Sequence, residues 1–256
     1  MFKNVIVRRP AKSMVDGITS NPQLGRPNYE LALKQHDDYI EALKKCGVAV
    51  TVLEALEEYP DSCFVEDTAV ITRKCAILSN PGAASRNGEA KEMLPAIKKF
   101  FPDNRIEYIK TPGTLDGGDV MMVGDHFYVG RSARTNAEGI RQFIAILEKH
   151  GLSGSEVKLE LVLHLKTGVN YIENGNMLVS GEFVEKADFA KYSKIVIPEE
   201  ESYAANCIWV NDRVIVPSGY PTVEKKIRDA GYEVILTDTS EYRKLDGGLS
   251  CLSLRF

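Results

Sequence analysis

One cysteine, one histidine and a handful of carboxylates are the residues of this 256-residue chain with the types and setting for covalent chemistry. Cys251 sits in LDGGLSCLSLRF, beside Gly247 and Gly248, which give the backbone freedom there. A thiol in that position reads either as a small buried hydrophobe in a terminal strand or as a nucleophile. The second reading requires a neighbouring positive charge that favours thiolate. His164 lies between two leucines in LVLHLKTG. In an apolar strand it is either a packed core residue or a proton carrier that titrates near neutrality. The acids fall into two groups. FVEDTAV carries Glu66 and Asp67, which on a strand point to opposite faces. Such a carboxylate grips a guanidinium through paired hydrogen bonds, whereas the bland reading is a pair at a sheet edge. LDGGDV carries Asp116 and Asp119 around two glycines, a pattern that also suits a tight turn. Gathered acids repel one another unless a cation balances them. No basic residue adjoins them in sequence, so the natural guest is a cationic ligand or a metal.

The remaining cysteines, Cys46, Cys63, Cys75 and Cys207, end a helix or lie in or near apolar runs and read as structural. Five cysteines are an odd number, and no C-x-x-C pair occurs. That argues against a disulfide framework and a zinc site, and points to a reducing, cytoplasmic compartment. No H-x-H or H-E-x-x-H spacing occurs either, so no metal is expected. His36, His126 and His150 fall on a polar helix face, at a hairpin and at a helix end, and read as solvated.

Residues this far apart must be brought together by a repeating scaffold. Four segments share one plan of polar start, β-rich run, tight turn, second β-rich run and glycine. They are EDTAVITRKCAILSNPG from Glu66, GGDVMMVGDHFYVG from Gly117, TGVNYIENGNMLVSG from Thr167 and ANCIWVNDRVIVPSG from Ala205. Their turns, at Arg73-Lys74, Gly124-Asp125, Glu173-Asn174-Gly175 and Asn211-Asp212, suit hairpins. Two β-rich runs remain, Phe2 to Arg8 and Leu249 to Phe256, and pairing them completes a fifth unit and closes a ring. Amphipathic helical periodicity runs over Tyr29 to Lys45, Glu89 to Phe100, Asn136 to His150 and Thr222 to Ala230. Strands alternating with helices make the fold α/β; an open mixed sheet without symmetry is the alternative. In a ring, the unit starts place Glu66, Asp67, Asp116, Asp119, His164, Asn206 and Cys251 together. No linker or low-complexity tract divides the chain, so a single domain over 1–256 is expected. The net charge of -4 comes without a basic stripe, which excludes nucleic acid as a partner. No signal-peptide core and no long apolar run is present, so no membrane association is expected.

FVEDTAV, PGAASR, TLDGGDVMMVG, VGRSARTN, LHLKTG, SYAANCIWVN and LDGGLSCLSL, in this order, closely resemble the bacterial dimethylarginine dimethylaminohydrolase (dimethylargininase) family over the whole chain. That family belongs to the guanidine-modifying, or pentein, superfamily. The resemblance implies a five-bladed α/β propeller of pseudo-symmetric ββαβ units. It implies Cys251 as nucleophile, His164 as general acid and base, and Asp116 at a third catalytic position that is Glu in some relatives. It places Glu66 and Asp67 on the guanidinium, and Asp61, Arg86 and Arg134 on the amino-acid part of the substrate. Ile18 falls at a lid position often held by Leu, and Phe64, Leu245 and Ser253 at further pocket positions. The implied reaction hydrolyses Nω,Nω-dimethyl- and Nω-monomethyl-L-arginine to citrulline and the methylated amine through a thiouronium on cysteine. It uses no cofactor. Arginine deiminase, acting on free arginine, is the nearest alternative, although that family usually carries an added helical domain. A guanidine-binding protein without turnover is another. Self-association as a homodimer is left open.

Overall fold

The computed structural model describes all of residues 1–256. One module is repeated five times along the chain. Strand β1 (Asn4–Arg8) leads through helix α1 (Tyr29–Lys45) to β2 (Ala49–Leu53). Next come β3 (Ala69–Ile71), β4 (Ala76–Leu78), α2 (Glu89–Ile97) and β5 (Ile106–Tyr108), then β6 (Val120–Val123), β7 (His126–Arg131), α3 (Ala137–Lys149) and β8 (Ser153–Lys158). A short helix, α4 (Leu165–Gly168), opens the module of β9 (Val169–Tyr171), β10 (Asn176–Val179) and β11 (Ser193–Val196). The chain ends with β12 (Ile208–Val210), β13 (Arg213–Pro217), α5 (Pro221–Asp229), β14 (Glu233–Thr237), α6 (Ser240–Arg243) and β15 (Leu254–Arg255). Each sheet has three strands: an antiparallel pair, then a third strand parallel to the middle one. A parallel partner requires a crossover, and in four of the five sheets an α-helix between second and third strands supplies it. The fifth sheet is built from the two ends of the chain. β15 pairs antiparallel with β1, in register Val5↔Arg255, and β1 pairs parallel with β2.

The chain forms two compact units, one of residues 1–65 with 197–256, the other of residues 66–196. The first holds sheets β15-β1-β2 and β12-β13-β14; the second holds the other three. In the first, α1 lays Ala32, Tyr39, Ile40 and Leu43 against Val5, Val7, Ile215 and Tyr242. The second has one core around Ile77, Val129, Phe143 and Leu147, and another around Met177, Val179, Phe183 and Phe189. Helix ends follow local chemistry. Asn28 caps α1 by accepting from the Leu31 amide at 3.0 Å, and Asn136 caps α3 by accepting from Gly139 at 2.8 Å. Left-handed Gly47 and Gly151 follow their ends. The hairpin turns lie where expected, with positive φ at Gly124, Glu173, Asn174, Gly175 and Asn211. No helix is long and apolar enough to cross a membrane.

Several local expectations are corrected. Only Leu254–Arg255 of the last run pairs as a strand, and Ser250–Leu252, which carries Cys251, is a 3-10 turn. Val65–Thr68 is likewise a 3-10 turn rather than strand, so Glu66 and Asp67 are both buried instead of facing opposite ways. His164 lies just before α4, not within a strand. His36 is not solvated: it is fully buried on the inner face of α1, and neither ring nitrogen has a hydrogen-bond partner. Burial first, and the charge of Arg9 second, hold its pKa down to about 4, so the ring is neutral. The fourth crossover has no α-helix. Two 3-10 turns, Gly181–Phe183 and Ala187–Phe189, take its place. They are fastened by rings, Phe189 lying 5.2 Å from Tyr128 and 6.2 Å from Phe183.

Candidate active site

Within the second compact unit, seven of the residues singled out above occupy one polar cluster: Glu66, Asp67, Arg86, Asp116, Asp119, Arg134 and His164. Asp116 is fully buried at the entry to the 3-10 turn Gly117–Asp119, and its Oδ2 lies 3.0 Å from His164 Nε2. Its other oxygen accepts from the Gly82 amide at 2.8 Å, and its own amide donates to Thr135 Oγ1 at 3.0 Å, so the carboxylate cannot swing. Asp119 holds the histidine from the backbone side. It accepts the Leu165 amide at 2.9 Å and the Ser132 hydroxyl at 2.6 Å. Burial by itself would lower the pKa of His164. The hydrogen bond that the ring donates to Asp116 and the charges of Asp67, Asp119 and Asp116 outweigh burial and raise it to about 9. At neutral pH the ring is therefore an imidazolium. With Nε2–H bound to Asp116, the Nδ1 proton is the one available for transfer.

The two glycines of LDGGDV serve close approach and not a left-handed turn, for neither has positive φ. A Cβ on Gly118 would lie 2.9 Å from His164 Nδ1, so this glycine is what lets the ring sit flush on the backbone. The Gly118 amide also donates to Asp67 Oδ1 at 2.9 Å.

The acids are already balanced by fixed cations, contrary to the expectation drawn from sequence distance. Arg86, buried, donates to Asp67 Oδ2 at 2.6 Å and to both oxygens of Glu89 at 3.0 and 2.7 Å. Lys166 donates to Glu66 Oε1 at 2.6 Å. Burial works against ionising Asp67. Arg86, His164 and the Gly118 amide prevail and lower its pKa. The physical reason for the miss is that both cations come from neighbouring turns: Arg86 from the one before α2, Lys166 from α4. Polar atoms of Asp67, Asp116 and His164 lie within 4.8 Å of one another, and with the ring protonated and held on Asp116 this cluster suits a hydrogen-bonding guest rather than a metal ion. Arg134 Nη1 lies 4.0 Å from Asp116 Oδ2, and its side chain is 18% exposed, against 6% for Arg86.

The first compact unit carries Ile18, Asp61, Phe64, Leu245, Cys251 and Ser253. Cys251 is half-buried, whereas the other four cysteines are buried; all five are free thiols. The Gly248 amide points at its sulfur, 3.5 Å away. Gly247 packs on the ring of Phe64, where a Cβ would come within 2.2 Å, so this Gly-Gly pair too answers to close approach. Asp61 accepts from the Ile18 amide at 3.0 Å, and Gly17 packs between Asp61 and Leu245. Ser253, buried, is hydrogen-bonded to Tyr39 and Arg255, both at 2.7 Å.

A model of the eukaryotic N,N dimethylarginine dimethylhydrolase family matches residues 21–184. The N(G),N(G)-dimethylarginine dimethylaminohydrolase of Pseudomonas aeruginosa is 60% identical over 256 residues, covering 100% of both chains. The chain belongs to the dimethylarginine dimethylaminohydrolase family. The family's enzyme in Streptomyces coelicolor is 33% identical over 254 residues, 99% of this chain and 96% of that one. Among solved structures, a cysteine-to-serine variant of the Pseudomonas dimethylarginine dimethylaminohydrolase, complexed with citrulline, superposes with TM-score 0.98 at 59% identity over 100% of each chain. A histidine-to-glycine variant of a dimethylarginine dimethylaminohydrolase, an adduct with S-methyl-L-thiocitrulline, has the same TM-score and identity. The N-terminal domain of ArgZ, at 20% identity and TM-score 0.85, shares the fold alone. The five three-stranded modules, four of them ββαβ, are those of the α/β propeller.

Proposed function

We propose that the protein hydrolyses Nω-methylated L-arginines to L-citrulline and the free methylamine, with Cys251 as nucleophile and His164 as acid and base. The observation that carries this reading is the 3.0 Å hydrogen bond between His164 Nε2 and buried Asp116, which favours an imidazolium able to give a proton at neutral pH. Membership of the dimethylarginine dimethylaminohydrolase family supports the substrate. The Cys251 thiolate attacks the guanidinium carbon, forming a C–S bond. His164 protonates the dimethylamino nitrogen, the C–N bond breaks, and dimethylamine leaves. Water then adds to the thiouronium carbon while neutral His164 takes its proton, and the C–S bond breaks to release citrulline and thiolate. The sum is one guanidinium and one water giving citrulline and dimethylammonium. Nothing is oxidised or reduced.

Glu66 and Asp67, pre-ordered by Lys166 and Arg86, orient the guanidinium, and the Coulombic pull of those acids favours the cation over a neutral urea. Arg134 is the better candidate for the α-carboxylate, because Arg86 is first engaged in fixing Asp67 and Glu89. Asp61 serves the α-amino group, Ile18 the lid, and Phe64, Leu245 and Ser253 the pocket lining. The five free thiols suit a reducing, cytoplasmic setting.

Product identification tests the reading: with asymmetric dimethylarginine the expected products are citrulline and dimethylamine. One or two methyls against an apolar wall contribute about 1–3 kcal/mol, or roughly 10–200-fold in discrimination. kcat/KM is therefore expected to rank the monomethyl and asymmetric dimethyl substrates above arginine and above the symmetric isomer. If arginine wins, releasing ammonia, the protein is an arginine deiminase.

A further inference from the structure

We infer that Asn206 is a positioning residue for the nucleophile, setting the conformation of the turn that carries Cys251. This rests on the reading of Cys251 as nucleophile. Asn206 follows the 3-10 turn Glu199–Ala205, and its side chain is buried. Its amide grips Ser250, the residue before Cys251, at two points. Nδ2 donates to Ser250 Oγ at 3.0 Å, and Oδ1 accepts from the Ser250 amide at 2.9 Å. The same amide is the floor beneath Gly248, where a Cβ would lie 2.6 Å from Asn206 Cγ. Gly248 in turn directs its N–H at Cys251 Sγ, 3.5 Å away. One planar amide thus fixes both the residue that precedes the sulfur and the residue whose N–H faces it. An N–H held on sulfur favours thiolate over thiol.

Other side chains pin the surrounding turn as well. Tyr203 donates to the Gly247 carbonyl at 2.9 Å, and Tyr39 to the Leu249 carbonyl at 3.0 Å. Those bonds hold carbonyls, whereas Asn206 holds the Ser250 amide and packs beneath Gly248. Aspartate would keep the acceptor but bury a negative charge against the turn that carries the sulfur, and alanine would leave the buried Ser250 amide without this acceptor. An uncharged amide meets both requirements.

The test compares Asn206→Ala and Ser250→Ala with the parent enzyme. Steady-state kinetics with asymmetric dimethylarginine are measured beside the pH dependence of Cys251 alkylation by iodoacetamide, read by intact mass. For Asn206→Ala, kcat should fall about tenfold or more with KM changed less than about twofold. The alkylation midpoint should move up by about one pH unit. Ser250→Ala keeps the amide bond and loses only the hydroxyl, so it should change both readouts in the same direction by less. Parent-like kcat and alkylation in folded Asn206→Ala overturn the inference. If that variant does not fold, Ser250→Ala decides: a smaller shift of the same sign supports the inference and parent-like values overturn it. Alkylation of Cys251 that leaves the parent's citrulline formation intact removes the nucleophile reading itself, and this inference with it.

Discussion

Replacing Asp116 by Asn should convert His164 from an acid into a poor one, and the structure sets the size of the effect. The rise in the histidine's pKa from 6.5 to about 9 corresponds to on the order of 3 kcal/mol favouring the imidazolium. Asp116 contributes a hydrogen bond to the ring, at 3.0 Å. Asparagine is isosteric, but its orientation is dictated by the Gly82 amide, which donates to Oδ1 at 2.8 Å. The carboxamide oxygen must stay there, so its NH2 faces His164 Nε2. A donor then meets a donor unless the ring gives up its Nε2 proton. Loss of one charge-assisted hydrogen bond alone is about 1.5–3 kcal/mol, or about one to two pH units. The alkaline limb of kcat/KM, which tracks loss of the imidazolium as pH rises, should move from about 9 to about 7–8. A ring with its pKa at about 9 is about 90% protonated at pH 8, and one at about 7 only about 10%. Citrulline formation between pH 5.5 and 10, with NMR titration of the imidazole, measures both. Asp116→Glu restores a carboxylate and should return the limb toward its parent position. An alkaline limb unmoved in Asp116→Asn refutes the argument that this hydrogen bond sets the acid.

Cys251→Ser should fold and lose nearly all turnover, because an alkoxide forms far less readily than a thiolate; full activity would dispose of the nucleophile. Gly118→Ala puts a methyl 2.9 Å from His164 Nδ1 and should lower kcat by about 100-fold with a smaller effect on melting; unchanged kcat would show that the ring does not need that backbone contact. His36 is neutral when folded and has its pKa depressed from 6.5 to about 4, so the unfolded chain binds the extra proton and stability falls as pH drops from about 6.5 to about 4. That loss is on the order of 3 kcal/mol, and His36→Leu should flatten it in denaturant titrations at pH 7 and 4.5; an unchanged acid slope would exonerate the ring.

The scaffold was legible because its signals are local. Hairpin turns announce themselves through Gly and Asn at positive φ, and α1 and α3 through 3.6-residue periodicity with an Asn cap. The end strands could be paired because each β-rich run lacked a partner. What escaped is set by distant packing. FVEDTAV reads as an apolar, strand-like run interrupted by two acids, yet Val65–Thr68 is a 3-10 turn in which Glu66 and Asp67 meet Lys166 and Arg86. His36 looked solvated because its neighbours Asp37 and Asp38 are, but the helix turns it inward. The two Asp-Gly-Gly segments carried a signal that was read for the wrong property. Their glycines are there for what lies above them, a histidine ring and an asparagine amide, and that depends on residues far away in sequence. Lys166 sits only two residues after His164, close enough to have been considered as a counter-ion for Glu66.

The ring-fastened fourth crossover has a thermal consequence. Helix crossovers carry enthalpy in their hydrogen bonds, whereas the contacts of Phe183 and Phe189 depend on excluding water, and that driving force weakens on cooling. The backbone bonds in this crossover are i to i+3 contacts of 3.1–3.4 Å, which offer little to compensate. Gly168, at the end of α4, packs directly on the Phe183 ring, so α4 rests on this crossover. His164 stands at the start of α4. As temperature falls, amides of residues 181–192 should exchange with solvent sooner than those of α1 or α3, and the placement of the His164 ring, to which the proposed reaction gives the proton transfer, should loosen with them.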